Sequence, residues 1–137
     1  MNTPRGIRNN NPLNIVKGNN WKGEIYPQTD TRFEQFESLE MGIRAGFVIL
    51  KNYQSKKRIP RARANTIREI VTRWAPASEN NTKAYIQAVS KRTGLLPDEV
   101  ILFQERAKMI ALVEAMIFVE CGQAIDPELI ASAYDLV

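Results

Sequence analysis

The sequence contains no histidine and a single cysteine, Cys121. Without histidine the commonest general base and metal ligand is missing, and one cysteine excludes an internal disulfide and any zinc site built from several thiolates. Long apolar runs are lacking too. The most hydrophobic stretch, residues 109–119, is broken by Glu114 and falls short of the roughly 20 residues of a membrane-spanning helix, so no membrane span is expected. The opening Met1-Asn2-Thr3-Pro4-Arg5 has neither the apolar core nor the cleavage site of a secretory signal, which gives no expectation of standard export. No internal repeat and no low-complexity segment stands out. Chemistry is left to carboxylates, hydroxyls, amides, lysine and one thiol, and among these Asp and Glu suit acid–base work. The thiol has no imidazole to activate it and reads as a small packing residue. No cofactor and no metal are expected.

What is present fits one domain spanning residues 1–137, with 44% hydrophobic residues and both signs of charge. A net charge of +4 and a pI near 9.4 add a modest attraction to polyanions, nucleic acid and anionic wall polymers alike. Residues 5–21 are dense in Asn, Gly and Pro and read as an ordered loop. Gly23 to Tyr26 and Thr31 to Phe36 read as two short strands around the turn Pro27-Gln28-Thr29-Asp30. Helices follow: one capped by Ser38 with Leu39, Ile43, Phe47, Leu50 and Tyr53 at helical spacing; one opened by the Thr66/Glu69 capping box and stopped by Pro76; one from about Thr82 to Gly94, capped by Asn80 or Asn81. Trp74 falls on the core face of the second. The basic segment 56–61 between the first two reads as an exposed connector. A helix from about Gln104 to Cys121, apolar on nearly every side, belongs in the middle of the domain. Asp126-Pro127 starts a last one. The expected class is mainly α with a small β-hairpin.

Val119-Glu120-Cys121-Gly122 places a carboxyl at the end of the most apolar helix. The negative pole of the helix and apolar neighbours both disfavour its ionisation. A carboxylic acid still protonated near neutral pH can protonate a glycosidic oxygen. Read without further context, a glutamate at a helix end is usually a solvated surface residue.

Several stretches resemble the lytic transglycosylase, goose-type lysozyme and glucosaminidase group of the lysozyme-like superfamily. Glu120-Cys121-Gly122 is similar to its catalytic Glu-Ser-Gly, with cysteine in place of serine. Asn9-Asn10-Asn11-Pro12-Leu13-Asn14-Ile15 and Trp21-Lys22-Gly23 are similar to the loop that follows it there. Phe33-Glu34-Gln35-Phe36-Glu37-Ser38 resembles the Phe-x-x-Phe/Tyr-x-Ser run leading into a helix, and residues 80–89 resemble the tyrosine-bearing helix along the cleft. The Glu-bearing helix comes first in that group and nearly last here, so the resemblance implies a circularly permuted lysozyme-like α+β fold. Residues 4–12 also resemble the beginnings of phage and prophage proteins often labelled structural.

The resemblance implies Glu120 as catalytic acid and base, with Tyr85, Asn14 and Trp21 as substrate-binding residues. Each has a plainer reading: a half-buried helix tyrosine, a loop-satisfying amide, a core anchor of the hairpin. Glu24, Asp30, Glu34 and Glu37 are candidates for a second carboxylate, which a transglycosylase does not need. The implied partners are peptidoglycan glycan strands and, for a particle-borne protein, other phage virion proteins. The implied location is the virion or host cytoplasm before release, with action in the periplasm or cell wall. Two other classes stay open: a catalytically inactive virion or glycan-binding protein, and, third, a nucleic-acid-binding protein. The basic cluster lacks interleaved aromatics for base stacking, so no specific nucleic-acid partner is expected.

Overall fold

A computed structural model describes residues 3–55, 63–78 and 80–137. Among them the chain forms six helices: α1 (Arg5–Arg8), α2 (Leu39–Tyr53), α3 (Ile67–Trp74), α4 (Thr82–Thr93), α5 (Arg106–Cys121) and α6 (Pro127–Asp135). Extended pairing is confined, among these residues, to isolated antiparallel bridges, Val16 with Phe33, Glu24 with Phe36 and Thr66 with Val100. The mainly α class expected from the sequence is what is found.

The helix starts follow from local chemistry. Ser38 accepts from the Met41 amide, Thr66 from Glu69, Asn81 from Ala84 and Asp126 from Glu128, each satisfying an amide that has no partner inside its helix. Glu69 returns the bond, its Oε1 accepting from the Thr66 hydroxyl at 3.1 Å. Proline at the first position of α6 gives up no helical hydrogen bond. Residues 56–62, which include the whole of the basic connector expected at 56–61, lie outside the described residues; Arg63 is exposed.

Two expectations need correction. The loop at residues 5–21 contains a one-turn helix, α1, too short to be read from its own sequence and held from outside by Arg5, whose Nε and Nη2 each donate to Asp30 at 2.7 Å. The hairpin is reduced to a narrow contact in which the Ile25 amide donates to Gln35 and the Glu37 amide to Gly23. Beyond it side chains replace the ladder. Gln28 bonds the Ile25 and Gln35 carbonyls, and Gln35 Oε1 accepts the Thr29 and Asp30 amides. Backbone groups satisfied in this way need no further strand.

Helix α5 packs against α4, α6 and α1, while α2 lies on α6 and α3 on α4. Met109, Leu112, Val113, Met116 and Ile117 of α5 are fully buried, each such side chain worth roughly 1.5–3 kcal/mol when removed from water. Phe118 and Val119 are exposed, so α5 is central along most of its length and open at its last turn. Helix α2 carries Gly42 and Gly46 one turn apart, and the 9–14 segment seats against that bare face. A Cβ at 42 would lie 1.8 Å from the Asn10 carbonyl oxygen, and one at 46 would lie 2.3 Å from Leu13 Cδ1. Among the described residues no helix is long and apolar enough to cross a membrane.

Gly42→Ala therefore has to push the Asn10–Leu13 segment off α2 and is expected to lower the unfolding free energy by about 3 kcal/mol. Gly94→Ala, at a left-handed φ of 76° with open space around it, is expected to cost about 1 kcal/mol. Urea denaturation of the two variants measures the difference; equal losses would contradict the seating.

Candidate active site

The seated segment is fixed by three consecutive asparagines. Asn9 Nδ2 donates to Asp30 at 3.0 Å, Asn10 Nδ2 to the Phe36 carbonyl at 3.0 Å, and the fully buried Asn11 to the Ile15 and Glu34 carbonyls at 2.9 Å. Buried amides with every donor placed hold a loop as firmly as a ladder does. At the end of this segment Asn14 takes a left-handed conformation, φ 54°, which asparagine tolerates better than other side-chain-bearing residues. Its amide reaches α5, where Nδ2 donates to Glu120 Oε1 at 3.1 Å.

Tyr85 arrives from the other side. It is buried on α4, and its hydroxyl donates to Glu120 Oε2 at 3.0 Å. The α4–α5 alignment is held by Arg92, whose guanidinium makes a two-point pair with Glu114 at 2.8 and 2.9 Å and lies 3.9 Å over the Phe118 ring. The Trp74 indole at the end of α3 also acts on the same carboxyl, favouring its ionised form. Burial pushes Glu120 above the ordinary glutamate value. Asn14, Tyr85 and Trp74 pull the other way, in that order, without cancelling it. Tyr85 is held far above the usual phenol value, first by burial and then by the charge of Glu120, so it remains a donor throughout the working range. Cys121 turns its thiol to the Gln123 carbonyl, and burial raises it, which disfavours a thiolate nucleophile.

Beside this cluster runs a cleft of two adjoining cavities. The nearer, about 200 Å³, is lined by Asn14, Ile15, Val16, Asn19, Ile49, Tyr53 and Trp74. The farther, about 370 Å³, is lined by Asn19, Asn20, Trp21, Ile49, Asn52 and Tyr53. They share Asn19, Ile49 and Tyr53, and among the described residues no charged side chain lines either. Tyr53 and Trp74 meet edge to face with centroids 6.4 Å apart. The lining combines flat apolar rings with amides that both donate and accept, suited to a neutral, hydroxyl-rich ligand.

The structure thus brings Glu120, Asn14 and Tyr85 together and sets Trp21 in the farther cavity, partly buried against the core. Trp74, expected as a core residue, does pack on the core but also lines the nearer cavity and favours the ionised form of Glu120. Helical spacing reveals which face is apolar, not what the ring edge meets. Asn19, Asn52 and Tyr53 carried no motif that would mark them. Of the hairpin carboxylates, Asp30 is bound by Arg5, Asn9 and two backbone amides and held well below the usual carboxylate range; that makes it a structural anion. Glu37 is exposed, whereas Glu34 is buried, and burial together with the charge of Glu24 raises it above the ordinary glutamate value. Among the described residues no three His, Cys, Asp or Glu side chains cluster as a metal site would need.

Because Asn14 and Tyr85 favour the ionised acid, Asn14→Ala and Tyr85→Phe should each raise the Glu120 titration midpoint further, Asn14→Ala more. Carboxyl-carbon NMR of glutamate-labelled protein reads this directly; a fall in either variant would contradict the assigned donors.

No model of a known protein family matches the chain. A relative among known proteins is Protein P5 of Pseudoalteromonas phage PM2, 41% identical over 122 residues, which cover 86% of this chain and 71% of the phage protein. An identity of that level over most of both sequences places them in one lineage: the chain belongs to the family of this phage protein P5.

Proposed function

We propose that this protein cleaves the glycan strands of bacterial peptidoglycan between N-acetylmuramic acid and N-acetylglucosamine, as a lytic transglycosylase with Glu120 as its single acid and base. The observation that carries the reading is a glutamic acid kept above its ordinary value by burial, bracketed by Asn14 and Tyr85 and set beside a cleft whose described lining consists of amides, aliphatic side chains and aromatic rings. Flat rings and amides along the described lining suit the hydroxyl-bearing faces of a sugar chain. The fold is proposed as a circularly permuted lysozyme-like one. In support, α1 packs on α5 and Asn14 bonds Glu120 across 106 positions, so the first loop and the late helix are spatial neighbours whatever their order in the chain.

In this mechanism Glu120 donates its proton to the bridging oxygen as the bond from the muramic acid anomeric carbon breaks. The resulting carboxylate then takes the proton of the C6 hydroxyl while that oxygen bonds to the anomeric carbon, giving a 1,6-anhydro end. Asn14 and Tyr85 steady the carboxylate between the two transfers. Kinship with a phage protein supports a setting in which the protein reaches the wall after release from the host cytoplasm or within a particle. A second reading has its own support: both Glu120 oxygens already accept hydrogen bonds, which suits a virion component that binds glycan without cutting it.

Mass spectrometry of fragments released from purified peptidoglycan tests this. The wild type should release anhydro-muropeptides, Glu120→Gln should reduce release by about 10²–10⁴-fold, and the rate should fall as pH rises through the elevated Glu120 value, where the acid form is lost. Reducing ends would make the protein a hydrolase; no release from the wild type would leave the glycan-binding reading.

A further inference from the structure

A third cavity, about 240 Å³, is walled by Arg5, Arg8, Asn9, Thr29, Asp30 and Gln35 and has no described lining residue in common with the cleft. Its acceptors are already used. Asp30 takes hydrogen bonds from Arg5 Nε and Nη2, from Asn9 Nδ2 and from the Arg32 and Phe33 amides, which fill the roughly four lone-pair sites of a carboxylate. Gln35 Oε1 accepts from the Thr29 and Asp30 amides at 2.6 and 3.1 Å, and its Nε2 donates to Asn9 Oδ1 and Thr29 Oγ1 at 3.1 and 2.9 Å. The cationic donors are not used up. Among the described residues Arg5 keeps its Nη1 edge free, and the exposed Arg8 guanidinium has no partner.

Arg5 is the rigid member of this pair. The Asp30 carboxylate holds it by two bonds, and the Phe33 ring lies against it, with the guanidinium carbon 4.6 Å from the ring centroid. Arg8 follows three positions later on α1, so one fixed and one adjustable guanidinium border the same concavity. Spent acceptors beside spare guanidinium donors complement an oxyanion. Charge selects which one. Asp30 offsets Arg5, and Arg8 leaves one positive charge uncompensated in the described lining, the match of a single carboxylate rather than of a doubly charged phosphate.

We propose that this pocket binds a carboxylate of the peptide branch carried by the muramic acid residues of peptidoglycan, with Arg8 and the free edge of Arg5 as its donors. The choice of ligand rests on the glycan-cutting reading, and the place of the pocket fits it. Helix α1 stands between the pocket and the acid: Gly6, between Arg5 and Arg8, packs so closely on Asn14 that a Cβ there would lie 3.0 Å from Asn14 Oδ1. A helix is about 10 Å across and an extended peptide covers about 3.3 Å per residue, so a branch of about three or four residues on a sugar held at Glu120 reaches round α1. A strand stripped of its peptides has nothing to place there.

The test follows the Arg8 side-chain Nε–H and the Thr29 backbone amide by NMR in the full chain. The probes are a disaccharide-tetrapeptide muropeptide, the same muropeptide with its carboxyl groups amidated, and inorganic phosphate. The free muropeptide should shift both signals, and amidation should weaken its binding by about tenfold or more. Arg8→Gln should bring the same loss while leaving the affinity for peptide-free N-acetylglucosamine oligomers unchanged. Equal binding of free and amidated forms, an affinity indifferent to Arg8→Gln, or phosphate shifting Arg8 where the muropeptide does not would overturn the assignment. Should the variant fail to fold, the comparison of free and amidated forms on the wild type decides alone. Cutting is read separately: a wild type that binds the muropeptide at Arg8 yet releases no fragments keeps the pocket and loses the glycan-cutting reading, and one that cuts while ignoring the carboxylates does the reverse.

Discussion

A carboxyl group taken out of water at the end of an apolar helix must either keep its proton or be surrounded by donors, and Glu120 does some of each. That constraint organises the rest of the molecule. Its donors come from two distant places in the sequence, so the Asn14 segment and α4 must converge on the last turn of α5. The glycine face of α2, the asparagine zipper and the Arg5–Asp30 pair bring the first of them. The Arg92–Glu114 clamp aligns the helix bearing the second.

The same convergence creates the cleft. Where α2 and α3 turn Tyr53 and Trp74 toward each other beside Asn14, the rings and amides leave space that neither core nor loop fills. The farther cavity depends on the 17–24 loop, whose Trp21 amide donates to Glu24 at 2.7 Å.

Legibility in the sequence followed the range of the physics. Ser38, Thr66, Asn81 and Asp126 cap helices with bonds to residues two or three positions away, and that chemistry can be read in a short window. Glu120 stood out for the same reason, its helix and its stop at Gly122 both being local. Its meeting with Asn14 and Tyr85 was expected from resemblance to a family, since no local signal spans 106 positions. Helix α1 and the curtailed hairpin escaped because distant side chains, Asp30 for one and Gln28 with Gln35 for the other, decide them. Burial of Glu34 was invisible for a similar reason: the alternation of a strand gives its face, and the Asn11 contact that seals it comes from 23 positions away.

The central claim is that Glu120 is an acid presented to a ligand in this cleft, and a crystal of Glu120→Gln soaked with N-acetylglucosamine oligomers tests it most directly. The account predicts sugar rings against Trp74, Tyr53 and Trp21, with a bridging oxygen within about 3.2 Å of the residue 120 amide. Oligomers bound elsewhere on the surface, or a cleft left empty by ligands that bind in solution, would contradict it.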